Sequence, residues 1–291
     1  MSEDKASIGQ EDLPWDLVIR PRVGWLDLNL SEVWRYRDLI TLFVKRDFIA
    51  QYKQTILGPI WHLIQPVMTT IVFIVVFTNI AGIPTDGAHP VVFYMSGLTL
   101  WTYFSGCLTA TSSTFVSNAG IFGKVYFPRL VTPIAVVLSN LVKFFIQFMM
   151  LLGVIFYFSF HGYPVGLSWN ILFLPVLLVC TACLALGMGI IISSLTTKYR
   201  DFGVLVGFGV QLLMYATPVV YPLSYLKQNR VLWLLEFNPL SAVVEAYRYL
   251  LLGSGTFTVW QLVYSFFSAV VVLLVGLVLF NRVEKSFMDT V

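Results

Sequence analysis

Two short runs of polar side chains interrupt otherwise apolar stretches: His62, Gln65 and Thr69, and Asn140, Lys143 and Gln147. Both follow the spacing i, i+3, i+7, which on an α-helix confines three side chains to one stripe about 60° wide. Trp61 adjoins the first stripe, and Gln211 and Tyr215 form a shorter pair at i, i+4. Amides, hydroxyls, a lone imidazole and an ammonium at this spacing suit solvation and hydrogen bonding. Two readings of the stripes fit the residue types. In one they face a wet conduit or another subunit, and in the other Lys143 snorkels to the interface while the amides bond neighbouring helices.

Other chemistry-bearing residues lack partners in sequence. His62 by itself fits a packed or hydrogen-bonded histidine. Cys107, Cys180 and Cys183 lie in apolar runs, and Cys180-x-x-Cys183 has no further ligands nearby, so these are read as small packing residues. Glu236 and Glu245 have no neighbouring histidine or second acid that would make a catalytic cluster. No Gly-x-x-x-x-Gly-Lys-Ser/Thr run occurs, so nothing in the chain can cradle nucleotide phosphates. The 24 Phe, 14 Tyr and 8 Trp suit interfacial belts, and in a wide conduit such rings also stack on sugar faces.

The elements that must position these residues are membrane spans. Apolar residues are 58% of the chain and charged residues 11%, against roughly 25% charged in soluble domains. The mean hydropathy is +0.81. A bilayer core about 30 Å thick needs about 20 helical residues. Six runs qualify, at about 58–82, 92–115, 131–159, 170–195, 203–221 and 259–280. Small-residue stripes at Ala185, Gly189 and Ser193 and at Gly203 and Gly207 suit close helix packing. No internal repeat is visible.

Orientation follows from lysine and arginine. Eight of the 18 basic residues (Lys5, Arg20, Arg22, Arg35, Arg37, Lys45, Arg46 and Lys53) precede position 57. This marks a basic membrane flank rather than a nucleic-acid surface. No short apolar h-region opens the chain, so both ends are expected in the cytoplasm. Lys124, Arg129, Lys198, Arg200, Arg282 and Lys285 then fall inside, making fourteen, against Lys227, Arg230 and Arg248 outside.

Two pieces do not cross. Leu39, Ile40, Phe43 and Val44 oppose Arg37, Asp38, Thr41 and Lys45, an amphipathic helix for the cytoplasmic surface. Within 222–258, Asn238 can cap a helix that Pro239 begins and Gly253 ends. At about 14 residues, or about 21 Å, it is too short to cross and is expected as part of a re-entrant hairpin on the outer face. Residues 1–56 thus form a cytoplasmic N-terminal region and 57–291 an all-α domain of six transmembrane helices.

Four stretches give a family resemblance. Tyr52-Lys53-Gln54-Thr55-Ile56-Leu57-Gly58-Pro59-Ile60-Trp61, with Pro66 after it, is similar to a Tyr-x-x-Ser-x-Leu-Gly-x-x-Trp run, Thr55 replacing the serine. Asn118 to Arg129, through Gly120-Ile121-Phe122-Gly123-Lys124 and Tyr126-Phe127-Pro128-Arg129, gives the second. Thr217-Pro218-Val219-Val220-Tyr221-Pro222 is the third, and Asn238-Pro239-Leu240 with Glu245 and Arg248 the fourth. Over about residues 32–285 the chain resembles the membrane subunit of type-2 ABC exporters for polysaccharides: O-antigen, capsule and teichoic-acid permeases. Residues 1–31 fall outside the resemblance.

That resemblance implies a transport subunit in the bacterial cytoplasmic membrane and not an enzyme. It implies a second copy of the chain and two copies of a separate ATPase, which alone carries ATP and Mg. The cargo would be an undecaprenyl-linked glycan. The expected path is Trp61, Gln65, Thr69, Asn140, Lys143, Gln147, Gln211 and Tyr215. Arg46, Asn118, Phe122, Lys124, Tyr126 and Arg129 are expected to couple to the ATPase, and Asn238, Pro239, Glu245 and Arg248 to build the outer hairpin. Three alternatives remain: a type-2 exporter of a drug or small lipid, a membrane enzyme acting on lipid-linked sugars, and a secondary transporter. The enzyme would need an acid or histidine cluster, and the secondary transporter two repeated halves.

Overall fold

The computed structural model describes residues 30–286 apart from 54, 57, 164–168, 197–200 and 227–231. Lys5, Arg20, Arg22, Lys198, Arg200, Lys227 and Arg230, used above for orientation, therefore lie outside the described residues, as do Gln54 and Leu57 of the first motif. All regular structure among the described residues is helical.

A short helix α1 (Leu30–Arg35) leads into α2 (Arg37–Tyr52). The α2 faces divide as the sequence indicates. Phe43 is buried, with Leu39, Ile40 and Val44 packed beside it, while Arg37, Asp38, Thr41 and Lys45 are exposed. A 3₁₀ turn then enters α3 (Trp61–Phe73), which a π-helical segment prolongs to Ile80. His89 and Pro90 start α4 (Pro90–Ser112), the His89 ring nitrogen accepting from the Val91 N–H at 3.3 Å. Ser113 separates α4 from α5 (Thr114–Phe122). Next come α6 (Val131–Phe160), α7 (Leu174–Thr196) after a 3₁₀ turn, and α8 (Phe202–Tyr215). The short α9 (Leu232–Glu236), then α10 (Pro239–Leu252) and α11 (Val259–Ser286), complete the chain.

Five helical stretches, Gly58–Ile80, Pro90–Ser112, Val131–Phe160, Trp169–Thr196 and Val259–Val283, are long and apolar enough to cross a membrane. Their burial differs widely. Helix α4 is the least apolar of the five and the most enclosed, lying against α3, α6, α7, α8 and α10. It can therefore bury Ser96, Thr99, Thr111 and Ser112, whose hydroxyls stay within the protein. Helices α3 and α11 are mostly uncovered and expose Val, Ile, Met and Phe. Lipid requires an apolar outside, and the centre of the bundle does not.

The fifth run is shorter than the sequence suggests. Expected over 203–221, α8 ends at Tyr215, giving 14 residues or about 21 Å. Pro218 disfavours helical backbone at Thr217, and a turn follows. Of the small-residue stripes, Ala185, Gly189 and Ser193 do pack: a Cβ on Gly189 would come within 2.6 Å of Thr111, and Ser193 accepts from the Phe115 N–H at 3.4 Å. Gly203 and Gly207 meet nothing within 4 Å in this chain. A closer approach, not evident in sequence, joins α7 to α11, where a Cβ on Gly187 would lie 2.7 Å from the Leu273 backbone.

Two apolar clusters mark the ends of the bundle. Val33, Phe43, Phe115, Phe122, Phe127, Ile190 and Phe280 gather at one end, with Phe115 and Phe280 stacked at 4.5 Å. The larger cluster runs from mid-bundle to the other end, where α10 packs on α4 and α7.

Candidate functional site

The two polar stripes meet. His62, Gln65 and Thr69 of α3 and Asn140, Lys143 and Gln147 of α6 line one cavity of about 200 Å³, closed by Thr102, Tyr103 and Gly106 of α4 and by Phe144. Neither stripe could be paired with the other from sequence, since they lie far apart in the chain. Gly106 permits the closure: a Cβ there would stand 2.9 Å from Asn140 Oδ1. The α4 contribution was missed, although Thr102, Tyr103 and Gly106 share one helical face and break the apolar run.

Several lining groups are already engaged. Asn140 Nδ2 donates to the Val136 carbonyl at 2.9 Å, and Thr69 Oγ1 to the Gln65 carbonyl at 2.9 Å. His62 Nε2 lies 3.2 Å from Gln51 Nε2 of α2 and edge-on to Tyr52 at 5.6 Å. With the Gln51 amide donating, the neutral ring carries its proton on Nδ1. Two groups are not engaged. Gln147 is 2% exposed, yet its Oε1 has no hydrogen-bond partner. Lys143 is half-buried, and no carboxylate among the described residues comes within ion-pairing distance of it. A lysine at mid-helix in hydrocarbon costs roughly 2.5–3.5 kcal/mol on insertion scales, which an aqueous or anionic neighbour offsets.

The remaining path candidates, Trp61, Gln211 and Tyr215, lie elsewhere, while Gln65 lines the cavity. Trp61 and Gln65 are exposed on α3, and Gln211 and Tyr215 are exposed on α8. Gln211 and Tyr215 do not reach the cavity within this chain. Exposed amides among apolar neighbours gain nothing from lipid.

The outer-hairpin candidates form a buried latch. Asn238 Oδ1 accepts from the Leu240 N–H at 3.0 Å, Pro239 takes the first helical position, and Gly253 closes α10 in the left-handed region at φ 70°. Asn238 Nδ2 also donates to the Ala216 carbonyl and Thr217 Oγ1, both at 2.9 Å. Arg248 is 1% exposed and donates to the carbonyls of Pro218 at 2.6 Å and Val219 at 2.5 Å. Its guanidinium stacks 3.8 Å over Phe93 and pairs with Glu245 at 3.4 Å. Glu245, fully buried, accepts from the backbone N–H groups of Leu223 at 3.1 Å and Thr256 at 2.9 Å. In the non-helical Thr217–Pro222 segment, the carbonyls of Pro218 and Val219 are therefore satisfied by α10 rather than by water.

The coupling candidates divide by burial. Phe122 is in the smaller core, edge-on to Phe115, with the Arg129 guanidinium 5.5 Å from its ring. Asn118 Nδ2 donates to the Thr114 carbonyl at 2.9 Å. Lys124 and Tyr126 are exposed, and Arg46 pairs with Asp47 at 2.8 Å on the α2 surface.

Comparison with known proteins points to one family. The family model described as "ABC-2 type transporter" matches residues 38–252. Two proteins from Klebsiella pneumoniae, each named O-antigen export system permease protein RfbA, are 28% and 26% identical over 253 residues, covering 87% of this chain and 94% of each relative. A protein of the same name from Myxococcus xanthus is 27% identical over 227 residues, 75% of this chain and 82% of the relative.

Proposed function

We propose, from the premise that the chain belongs to the ABC-2 type transporter family, that it is the transmembrane subunit of an ATP-driven exporter of a lipid-linked, O-antigen-like polysaccharide across the bacterial inner membrane. The observation that carries this reading is the convergence of the α3 and α6 polar stripes on one cavity, in a chain whose relatives are named O-antigen permeases. A drug-sized or lipid cargo would leave the exposed Gln65, Gln211, Trp61 and Tyr215 without a purpose.

Six crossings are part of this reading. Helix α8 follows α7, whose Thr196 bonds the Ser112 carbonyl at the smaller-cluster end, and leads to the Thr217–Pro222 turn at the opposite end. It thus runs the length of the bundle, with the non-helical backbone over 216–222 adding to its short helix. The α9–α10 hairpin enters and leaves on the same side, as Ser265 donating to the Pro239 carbonyl at 2.7 Å implies for the start of α11. With basic residues inside, that side is the outer one, both termini are cytoplasmic, and α2 lies at the inner interface.

Two copies of the chain enclose the path, because six helices leave little room for a polymer-wide tunnel and α3 and α8 carry polar groups on uncovered faces. Two ATPase subunits bind ATP and Mg and dock where Lys124, Tyr126 and Arg46 are exposed, while Phe122, Asn118 and Arg129 hold that segment in shape. A strain deleted for this chain tests the reading. Glycan should accumulate undisplayed on its lipid carrier and regain surface display when the chain is returned. Normal display in the deletion strain would refute it.

A further inference from the structure

We infer that the cavity between α3, α4 and α6 binds the phosphate group of a glycosylated lipid, with Lys143 as its cation. For the source of the phosphate, though not for the site itself, this rests on the export reading above.

The charge balance of the cavity leads to this ligand. Its lining holds one ammonium and no carboxylate; every other polar group is an amide, a hydroxyl or an imidazole. Asp47 is close enough for its field to reach Lys143, yet its carboxylate is taken by Arg46 at 2.8 Å. A neutral sugar would leave the ammonium uncompensated in a low-dielectric wall, whereas an anion removes that penalty.

Gln147 adds a second demand. Its buried Oε1 has no hydrogen-bond partner within the protein, which favours a ligand that carries a hydroxyl beside its anion. A phosphate esterified to a sugar brings both: phosphate oxygens for Lys143 and His62 Nδ1–H, and an adjacent hydroxyl for Gln147. A hydroxylated phospholipid headgroup offers the same pair of groups, and depth separates the two sources. Helix α6 has 30 residues, about 45 Å, which matches a bilayer with its headgroups. Lys143 lies 12 residues beyond Val131, about 18 Å from that end, well below the plane where resident phosphates sit. A lipid in transit carries its phosphate to that depth.

The full-length chain, purified with its ATPase and examined by native mass spectrometry, tests the assignment with four probes: polyprenyl diphosphate, uncharged polyprenol, phosphatidylglycerol and inorganic pyrophosphate. The diphosphate should bind at least ten-fold better than the polyprenol. Lys143→Gln should erase that preference without changing polyprenol binding, and Lys143→Arg, which tests folding and charge together, should keep it. Phosphatidylglycerol binding as well as the diphosphate would overturn the transit source, and full competition by inorganic pyrophosphate would overturn the lipid. A preference that survives Lys143→Gln would overturn the site. A wild-type chain that exports glycan yet shows no phosphate preference refutes this inference alone, and an intact preference without glycan export refutes the export reading alone.

Discussion

Replacing Arg248 by methionine removes the side chain that holds the broken end of α8 against α10. The guanidinium donates to two buried carbonyls at 2.6 and 2.5 Å and pairs with a carboxylate that is 0% exposed. Methionine matches most of the volume, so the loss is electrostatic. Each hydrogen bond from a charged donor contributes about 1.5–3 kcal/mol, and breaking a buried pair from one side costs about 3–5 kcal/mol. These overlap, because the same group makes all the contacts, and the expected loss is about 3–5 kcal/mol rather than their sum. At 2–4 °C per kcal/mol the melting temperature of the detergent-solubilised subunit should fall by roughly 6–20 °C. Glu245→Gln should lose less, since an amide still accepts from Leu223 or Thr256 and Arg248 keeps its carbonyls. An Arg248→Met protein melting within 2 °C of wild type would refute the latch.

Four further outcomes follow from the same geometry. Cysteines at Asp86 and His161 should react from outside the cell, and one at Lys124 only after permeabilisation; labelling of Lys124 from outside would invert the topology, and Lys198, outside the described residues, serves as a second inside probe. Tyr126→Ala should uncouple ATP hydrolysis from export while leaving stability unchanged, whereas Phe122→Ala should lose about 3–5 kcal/mol in a melting assay, because Tyr126 is exposed and Phe122 is core. Gly187→Ala should lose about 1–3 kcal/mol, since its Cβ would meet Leu273 backbone at 2.7 Å, and an unchanged melting temperature would show that α7 and α11 can separate freely. Burial holds the His89 imidazole below its ordinary pKa, and its ring nitrogen must be unprotonated to accept from Val91. That stabilisation is present above the unfolded value of about 6.5 and lost as pH falls through the lower folded value, so melting should drop as pH is taken below about 6.5, less so in His89→Asn.

Local rules made much of this legible. Asn238, Pro239 and Gly253 act at their own helix ends, so α10 falls where the sequence puts it, residue for residue. The α2 faces and the two i, i+3, i+7 stripes were readable because a helical period needs no knowledge of the partner. What the stripes faced was not readable: the cavity depends on α3, α4 and α6 meeting, and on Gly106 letting them. Arg248 looked like an outer-loop charge, whereas its role comes from carbonyls that the Pro218 break leaves without helical partners. For the same reason α8 stops at Tyr215 instead of reaching residue 221. Phe122 and Tyr126 share one motif, and only tertiary packing sends one inward and leaves the other exposed.

The most direct measurement of the central claim is transport by the isolated machine. Inverted vesicles holding this chain and its ATPase are loaded from the bath with lipid-linked glycan, and glycan protected inside is counted with and without ATP. The account requires ATP-dependent protection that Lys143→Leu greatly reduces while the chain still inserts and still supports ATP hydrolysis. No ATP-dependent protection by the wild-type pair, or full protection by Lys143→Leu, would contradict it.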